Sequence, residues 1–270
     1  MSKTWRISVL CDDRALDARF GTEWGLALAI ERKGELWLWD TGQSGLFLKN
    51  AARLSIDLEK AEGLCLSHGH YDHTGGMDAL FAATKFRGPV FAHPEVIRTR
   101  YSFSTGKARE IGVPGIIPEF IQVRGKRRLD QGLWMLTDVP RMPGMFQGVG
   151  HFSYDRERTA PDPVPDDSFL VLETESGPVA VLGCCHSGLF NSLAYLREAL
   201  GHKKVRAVVG GLHLIGAPQK ALEETAKALL EFEVRTAALG HCTGKEAVKF
   251  LKARLALTIE VLSVGLSLEF

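Results

Sequence analysis

The chain has 270 residues, with 33 Lys and Arg against 32 Asp and Glu, a formal charge of +1, and 45% hydrophobic residues. That balance excludes a polyelectrolyte surface coating nucleic acid and an acidic solvating tail, and it leaves enough apolar residues for a core. Five cysteines, two of them adjacent (Cys184 and Cys185), do not suit the even, spaced pairing of a secreted disulfide framework, so a reducing, cytoplasmic setting is expected.

Along the chain, Ile7–Leu10, Gly25–Ile30 and Glu35–Trp39 read as strands, the last ending at the turn Asp40-Thr41-Gly42. Leu46–Leu54 has helical spacing, and Gly63–Leu66 is a short strand running into Ser67-His68-Gly69-His70-Tyr71-Asp72-His73. Met77–Ala83 reads as a helix and Pro89–Ala92 as a strand. From about 98 to 165 the chain is rich in Gly, Pro and Arg, with short apolar runs only at Ile116–Val123 and Leu133–Leu136. Order returns with strands at Ser168–Glu173 and Val179–Leu182. Helices at Asn191–Leu200, Gln219–Phe232 and Lys245–Leu255 then alternate with strands at Val205–Val209, Thr236–Leu239 and Ile259–Val264. Strand–helix alternation predicts an α/β layered fold. No linker separates the halves and no repeat is visible, so a single domain, 1–270, is expected, with an irregular basic insertion at about 98–165. The N-terminus lacks a secretory signal, and no run approaches the roughly 18 apolar residues of a membrane span, so no membrane partner is expected.

The chemistry concentrates at 68–73. Residues two apart on extended chain share a face, so His68 and His70 can reach one cation. Asp72 and His73, where the chain turns towards a helix, can aim at a second. Imidazoles with a carboxylate suit Zn²⁺, with Fe and Mn as alternatives. Three more histidines follow apolar strands and a glycine: His186, His213 and His241. His202 reads as a solvated loop residue, and His93 as a residue facing the cleft. Thr243-Gly244-Lys245-Glu246 fits a capping box that would start a helix just after His241.

Leu38-Trp39-Asp40-Thr41-Gly42, the His68–His73 motif and Gly183-Cys184-Cys185-His186-Ser187-Gly188 together resemble the metallo-β-lactamase superfamily. Gly210-Gly211-Leu212-His213-Leu214 and Gly240-His241-Cys242-Thr243-Gly244 resemble its branch named for dihydropterin–ribofuranosylaminobenzene-phosphate synthase. The resemblance implies a metallo-β-lactamase-like αβ/βα four-layer sandwich with a metal site between two sheets. It implies that His68 and His70 hold one metal, that Asp72, His73 and His241 hold the other, and that Asp40 orients a ligand imidazole. The third ligand of the first metal is left open among His186, the first choice, then His151 and Asp167. Many relatives have an aspartate where this chain has Cys184, which either ligates or is a small buried residue.

Such a site, with one or two ions, implies a metal-dependent hydrolase acting through metal-activated hydroxide on a small anionic, phosphorylated substrate. Asp72 and His213 are the candidate catalytic residues: Asp72 holds the nucleophile in line, and a second metal or His213 stabilises developing charge. Alternatives are a transferase of the synthase type, a phosphodiesterase or nuclease, and, last, a non-catalytic metal-dependent sensor. A di-iron oxidoreductase is disfavoured by His70, where such sites carry glutamate. Between Arg98 and Arg128 eight basic residues (Arg98, Arg100, Lys107, Arg109, Arg124, Lys126, Arg127 and Arg128) face only Glu110 and Glu119. They read as a solvated face, or as a cap over a phosphorylated ligand; charge reversal at Arg127 and Arg128 would then weaken phosphorylated ligands selectively. Nucleic acid is not the expected partner, although this cluster leaves it open. Oligomeric state is not encoded in any of these features.

Overall fold

The computed structural model describes residues 4–115, 117 and 119–270; part of the apolar run at Ile116–Val123 therefore lies outside the described residues. Strands β1 (Arg6–Cys11), β2 (Ala27–Arg32) and β3 (Glu35–Trp39) precede helix α1 (Leu46–Arg53). β4 (Ala61–Cys65) leads through α2 (Tyr71–Thr74) and α3 (Met77–Ala83) to β5 (Val90–Ala92). The middle carries β6 (Tyr101–Ser102), β7 (Arg109–Glu110), β8 (Ile121–Gln122), β9 (Lys126–Asp130), β10 (Leu133–Leu136) and β11 (Phe152–Ser153). Then follow β12 (Phe169–Leu172), β13 (Val179–Leu182), α4 (Leu189–Leu200), β14 (Ala207–Gly210), α5 (Gln219–Glu231) and β15 (Thr236–Leu239). Helix α6 (Lys245–Arg254), β16 (Thr258–Val261) and β17 (Ser267–Glu269) end the chain.

These elements gather into two compact units. The first takes the described residues of Met1–Val123 with Val149–Asp166 and Ser263–Phe270, and the second takes Arg124–Gly148 with Asp167–Leu262.

In the first unit a seven-stranded sheet runs β17-β1-β2-β3-β4-β5-β8. Pairing is antiparallel from β17 to β3 and parallel from β3 to β8. Its register sets Leu38 opposite Ala29 on one side and Leu64 on the other. Helices α1 and α3 bury Phe47, Ala51, Met77 and Leu80 in one cluster with Leu38, Leu64 and Phe86. Apolar residues three or four apart on each helix give the stripe that faces the sheet. A small sheet, β11-β6-β7, belongs to the same unit.

In the second unit the order is β16-β15-β14-β13-β12-β10-β9. Pairing is antiparallel from β9 to β13 and parallel from β13 to β16. Strands β12, β13 and β14 are buried at every position, so their sequences run continuously apolar instead of alternating. Leu193, Leu196, Leu229 and Leu251 from α4, α5 and α6 join Phe232 in the core. The exposed edge is β9, whose Lys126, Arg127 and Arg128 deter pairing with another strand.

The two sheets thus share one pairing scheme, three antiparallel partnerships followed by three parallel ones, without any repeat in sequence. The middle segment, expected as an irregular insertion, contributes β8 to one sheet and β9 and β10 to the other. No helix among the described residues is long and apolar enough to cross a membrane.

Candidate metal centre

In the first unit the motif residues run from the end of β4 into α2. His68, His70, Asp72 and His73 are all buried. A hydrogen-bond chain fixes which nitrogen of two rings carries the proton. The Nδ1 of His73 donates to Asp40 Oδ2 at 2.7 Å, because a carboxylate only accepts. Ser67 Oγ donates to the same oxygen at 2.7 Å, and Oδ1 accepts from the Ser67 amide at 2.7 Å. With its proton committed, Ser67 Oγ accepts from His68 Nδ1 at 2.8 Å. Both rings therefore present Nε2 as the lone-pair nitrogen, the tautomer a metal requires. His68 Nε2 lies 3.0 Å from His70 Nδ1. Two nitrogens about 2.0–2.1 Å from one tetrahedral ion stand roughly 3.3 Å apart, so this spacing suits a shared cation. The orienting role expected of Asp40 is what its carboxylate performs. The Thr41 amide and hydroxyl bind the His73 carbonyl at 2.8 and 3.0 Å, tying the same turn to α2.

In the second unit His186, His213 and His241 follow β13, β14 and β15. His186 Nδ1 donates to the Gly148 carbonyl at 2.6 Å, and the His186 carbonyl accepts from Gly148 N at 2.9 Å, again leaving Nε2 as the lone-pair nitrogen. The amide of Ser187 donates to Asp167 Oδ2 at 2.7 Å. Burial pushes the Asp167 carboxyl above the ordinary range, opposed by Arg141 and by the amides it accepts. The His186 and His213 rings lie 4.4 Å apart. A Cβ on Gly148 would stand 2.7 Å from the His213 ring, so only glycine lets this loop close on it.

The turns after β14 and β15 zip together. Leu212 N donates to Thr243 Oγ1 at 3.0 Å, His213 N to Cys242 Sγ at 3.2 Å, and Leu214 N to the Cys242 carbonyl at 2.9 Å. The expected capping box is therefore not formed: the Thr243 hydroxyl is spent on Leu212, and Gly244 takes the cap of α6 at φ 75°. Cys184 Sγ, a ring nitrogen of His213 and Cys242 Sγ lie within 4.8 Å of one another, a set that could hold a metal ion. Although burial opposes it, bonding with Cys184 and the neighbouring His241 and His213 hold the Cys242 thiol well below its ordinary range.

The metallo-β-lactamase superfamily model matches residues 25–241. The chain belongs to the metallo-β-lactamase superfamily. It is 28% identical to 7,8-dihydropterin-6-methyl-4-(β-D-ribofuranosyl)-aminobenzene-5′-phosphate synthase of Methanocaldococcus jannaschii, over 98% of this chain and 96% of that one. The branch resemblance is thereby borne out. The crystal structure of a metal-dependent hydrolase of the beta-lactamase superfamily superposes with a TM-score of 0.85 at 31% identity, covering 98% of this chain and 99% of that one. Zn²⁺-bound PqqB from Methylobacterium extorquens shares the fold, with a TM-score of 0.57 at 12% identity over 98% and 100% of the two chains.

As a metallo-β-lactamase-fold protein, the chain has the expected fold class, and each unit supplies one seven-stranded sheet with its helices. Its superfamily generally binds metal ions, and the donor chemistry described above fits that. Several residues have other tasks. His93 caps the 3₁₀ turn Pro94–Ile97, its Nδ1 accepting from the Glu95 amide at 3.2 Å. His151 is exposed, and its carbonyl accepts from Phe103 N. His202, expected as a solvated loop residue, is half-buried and 3.9 Å from Glu173. Arg100, read as part of a basic solvated run, is instead fully buried between Asp162 and Asp166. Arg98 and Arg109 lie over the rings of Tyr154 and Tyr71, and Arg124 pairs with Asp138. Sequence reasoning missed Ser67 and Gly148 as ring-orienting partners. Their contacts reach backbone and side-chain atoms that no local pattern marks.

Proposed function

We propose that the chain is a metal-dependent hydrolase of a small anionic, phosphorylated substrate, with His68, His70, Asp72, His73, His186 and His241 as the ligands of one or two ions, Zn²⁺ first. The observation that carries this reading is the fixed tautomer of three buried imidazoles, each with Nδ1 bound to the protein and Nε2 left as the donor atom. A bound divalent cation supplies Lewis acidity and makes water a usable nucleophile near neutral pH. Asp40 and Ser67 hold the His68 and His73 rings in register, and Gly148 does the same for His186. Asp72 aligns the attacking water through its carboxylate and takes up its proton. His213 donates towards charge that develops on the substrate. The cellular setting consistent with five cysteines outside any disulfide is the cytoplasm.

Metal analysis of the purified chain, followed by a panel of phosphodiesters, phosphomonoesters and carboxylic esters, tests the reading. We expect at least one equivalent of zinc, iron or manganese. Hydrolysis should be abolished by chelation and reduced at least 10³-fold by Asp72→Ala, the scale of a lost nucleophile-positioning group. Turnover that survives both treatments contradicts it.

A second reading has its own support, the full-length similarity to a 7,8-dihydropterin-6-methyl-4-(β-D-ribofuranosyl)-aminobenzene-5′-phosphate synthase. Under it the same residues bind a phosphorylated aryl riboside and the reaction is a transfer. Formation of a coupled product from a dihydropterin whose methylene carries an activated oxygen leaving group and the phosphorylated aryl riboside, with that leaving group released and without hydrolysis of simple esters, decides for it.

A further inference from the structure

Arg100 is fully buried, an uncommon position for a guanidinium, and its surroundings lead back to the motif. Its Nη1 donates to Asp162 Oδ2 at 3.0 Å, and its Nη2 to Asp166 Oδ1 at 2.6 Å and to the Glu95 carbonyl at 3.0 Å. The second oxygen of Asp166, Oδ2, accepts from the Gly69 amide at 2.8 Å. Gly69 is the residue between His68 and His70. On its other side stands the Val96 carbonyl, so near that a Cβ at position 69 would overlap it. Val96 belongs to the 3₁₀ turn Pro94–Ile97, the same turn whose Glu95 carbonyl Arg100 holds. One guanidinium thus anchors both walls that grip Gly69, a carboxylate on one side and a backbone turn on the other.

Stability alone does not account for this arrangement. Buried ion pairs return little net free energy, because desolvation offsets most of the attraction. Groups behind metal ligands are where such arrangements matter, since ligand geometry is set by what holds the ligands. We propose that Asp166, held by Arg100, is a positioning residue for the His68–His70 pair: by fixing the Gly69 amide it sets the approach of the two imidazoles. This rests on the metal-binding reading above. Asp162 supplies an internal control. It binds the same guanidinium and the Val164 amide at 2.7 Å, whereas the Gly69 amide goes to Asp166.

The test uses the full chain loaded with Co²⁺, whose visible absorption reports ligand geometry, with affinity measured by chelator competition. Asp166→Ala removes both acceptors. Asp166→Asn offers one acceptor oxygen where Arg100 and Gly69 use two, and it carries the test if the alanine variant does not fold. Both should weaken cobalt binding about 10- to 100-fold and shift the visible band. Asp162→Asn should lose unfolding stability to a similar extent, while its cobalt affinity stays within about twofold of wild type and its band is unmoved. Folded Asp166 variants with wild-type affinity and spectrum would overturn the proposal, and so would Asp162→Asn reproducing their changes. A wild-type chain that takes up no cobalt defeats the metal-binding reading itself, and the positioning role with it.

Discussion

Among the residues just beyond strand ends that adopt the left-handed backbone region are Asp40 at φ 58°, Cys185 at 57°, His213 at 48° and His241 at 47°. For residues with a Cβ this conformation costs on the order of 1 kcal/mol or more, and it persists where surrounding structure imposes it. Here it turns each chain sharply off its strand and aims the next side chains out of the sheet. Asp40 shows the consequence: one carboxylate fixes Ser67 and His73, and through Ser67 it fixes His68. Asp40→Ala should therefore lower metal affinity about 10- to 100-fold in isothermal titration. Unchanged affinity would remove Asp40 from the account. The cysteines differ in the same residue-by-residue way. Burial pushes the thiols of Cys11, Cys65 and Cys185 up, whereas Cys242 is held down despite its burial. A thiol held low ionises at lower pH than one pushed up, so as pH is raised iodoacetamide should label Cys242 of the metal-free protein before these three. Peptide mapping that finds Cys11 or Cys65 labelled first contradicts this.

At the scale of elements, the basic run at 126–128 acquires a role its sequence did not disclose. β9 is the outer strand of its sheet, with Lys126, Arg127 and Arg128 exposed. Lys126 reaches the Ala199 carbonyl at 2.7 Å, and Arg128 lies over Trp134. Charged side chains on an open edge prevent strand addition from another copy. Replacing Arg127 and Arg128 with threonine should therefore raise self-association in sedimentation velocity while leaving turnover intact. Loss of binding confined to phosphorylated ligands would instead make these arginines part of the substrate site. The helices and buried strands were legible beforehand because their signals are local. Gln219–Glu231 carries apolar residues at helical spacing, and Val179–Leu182 is a continuous apolar run between turns. β9 escaped notice because charge, not apolar alternation, defines it. β17 was missed because three residues, Ser267–Glu269, are held only by pairing with Arg6–Ser8, some 260 positions away. Arg100 was misread for the same reason: its partners at 162 and 166 are distant in sequence, and composition near an arginine says nothing of its burial.

For the whole molecule, the near-zero net charge hides an uneven arrangement in which cations are used as props, stacks and edge guards. Each of two units contributes a seven-stranded sheet whose strand ends carry histidines, and fold and candidate ligands could be read together because the motif is contiguous. Asp40 could be read as a ring-orienting residue through the resemblance, but its bond to Ser67 could not, nor Gly148–His186 and Asp166–Gly69, since all three are long-range contacts. The central claim is that these histidines are metal ligands. X-ray absorption at the zinc edge of the zinc-loaded protein tests it most directly. The account predicts a shell dominated by nitrogen and oxygen at about 2.0–2.1 Å, with the outer-shell scattering of several imidazoles. A shell dominated by sulfur at about 2.3 Å, or zinc that washes away on desalting, would contradict it.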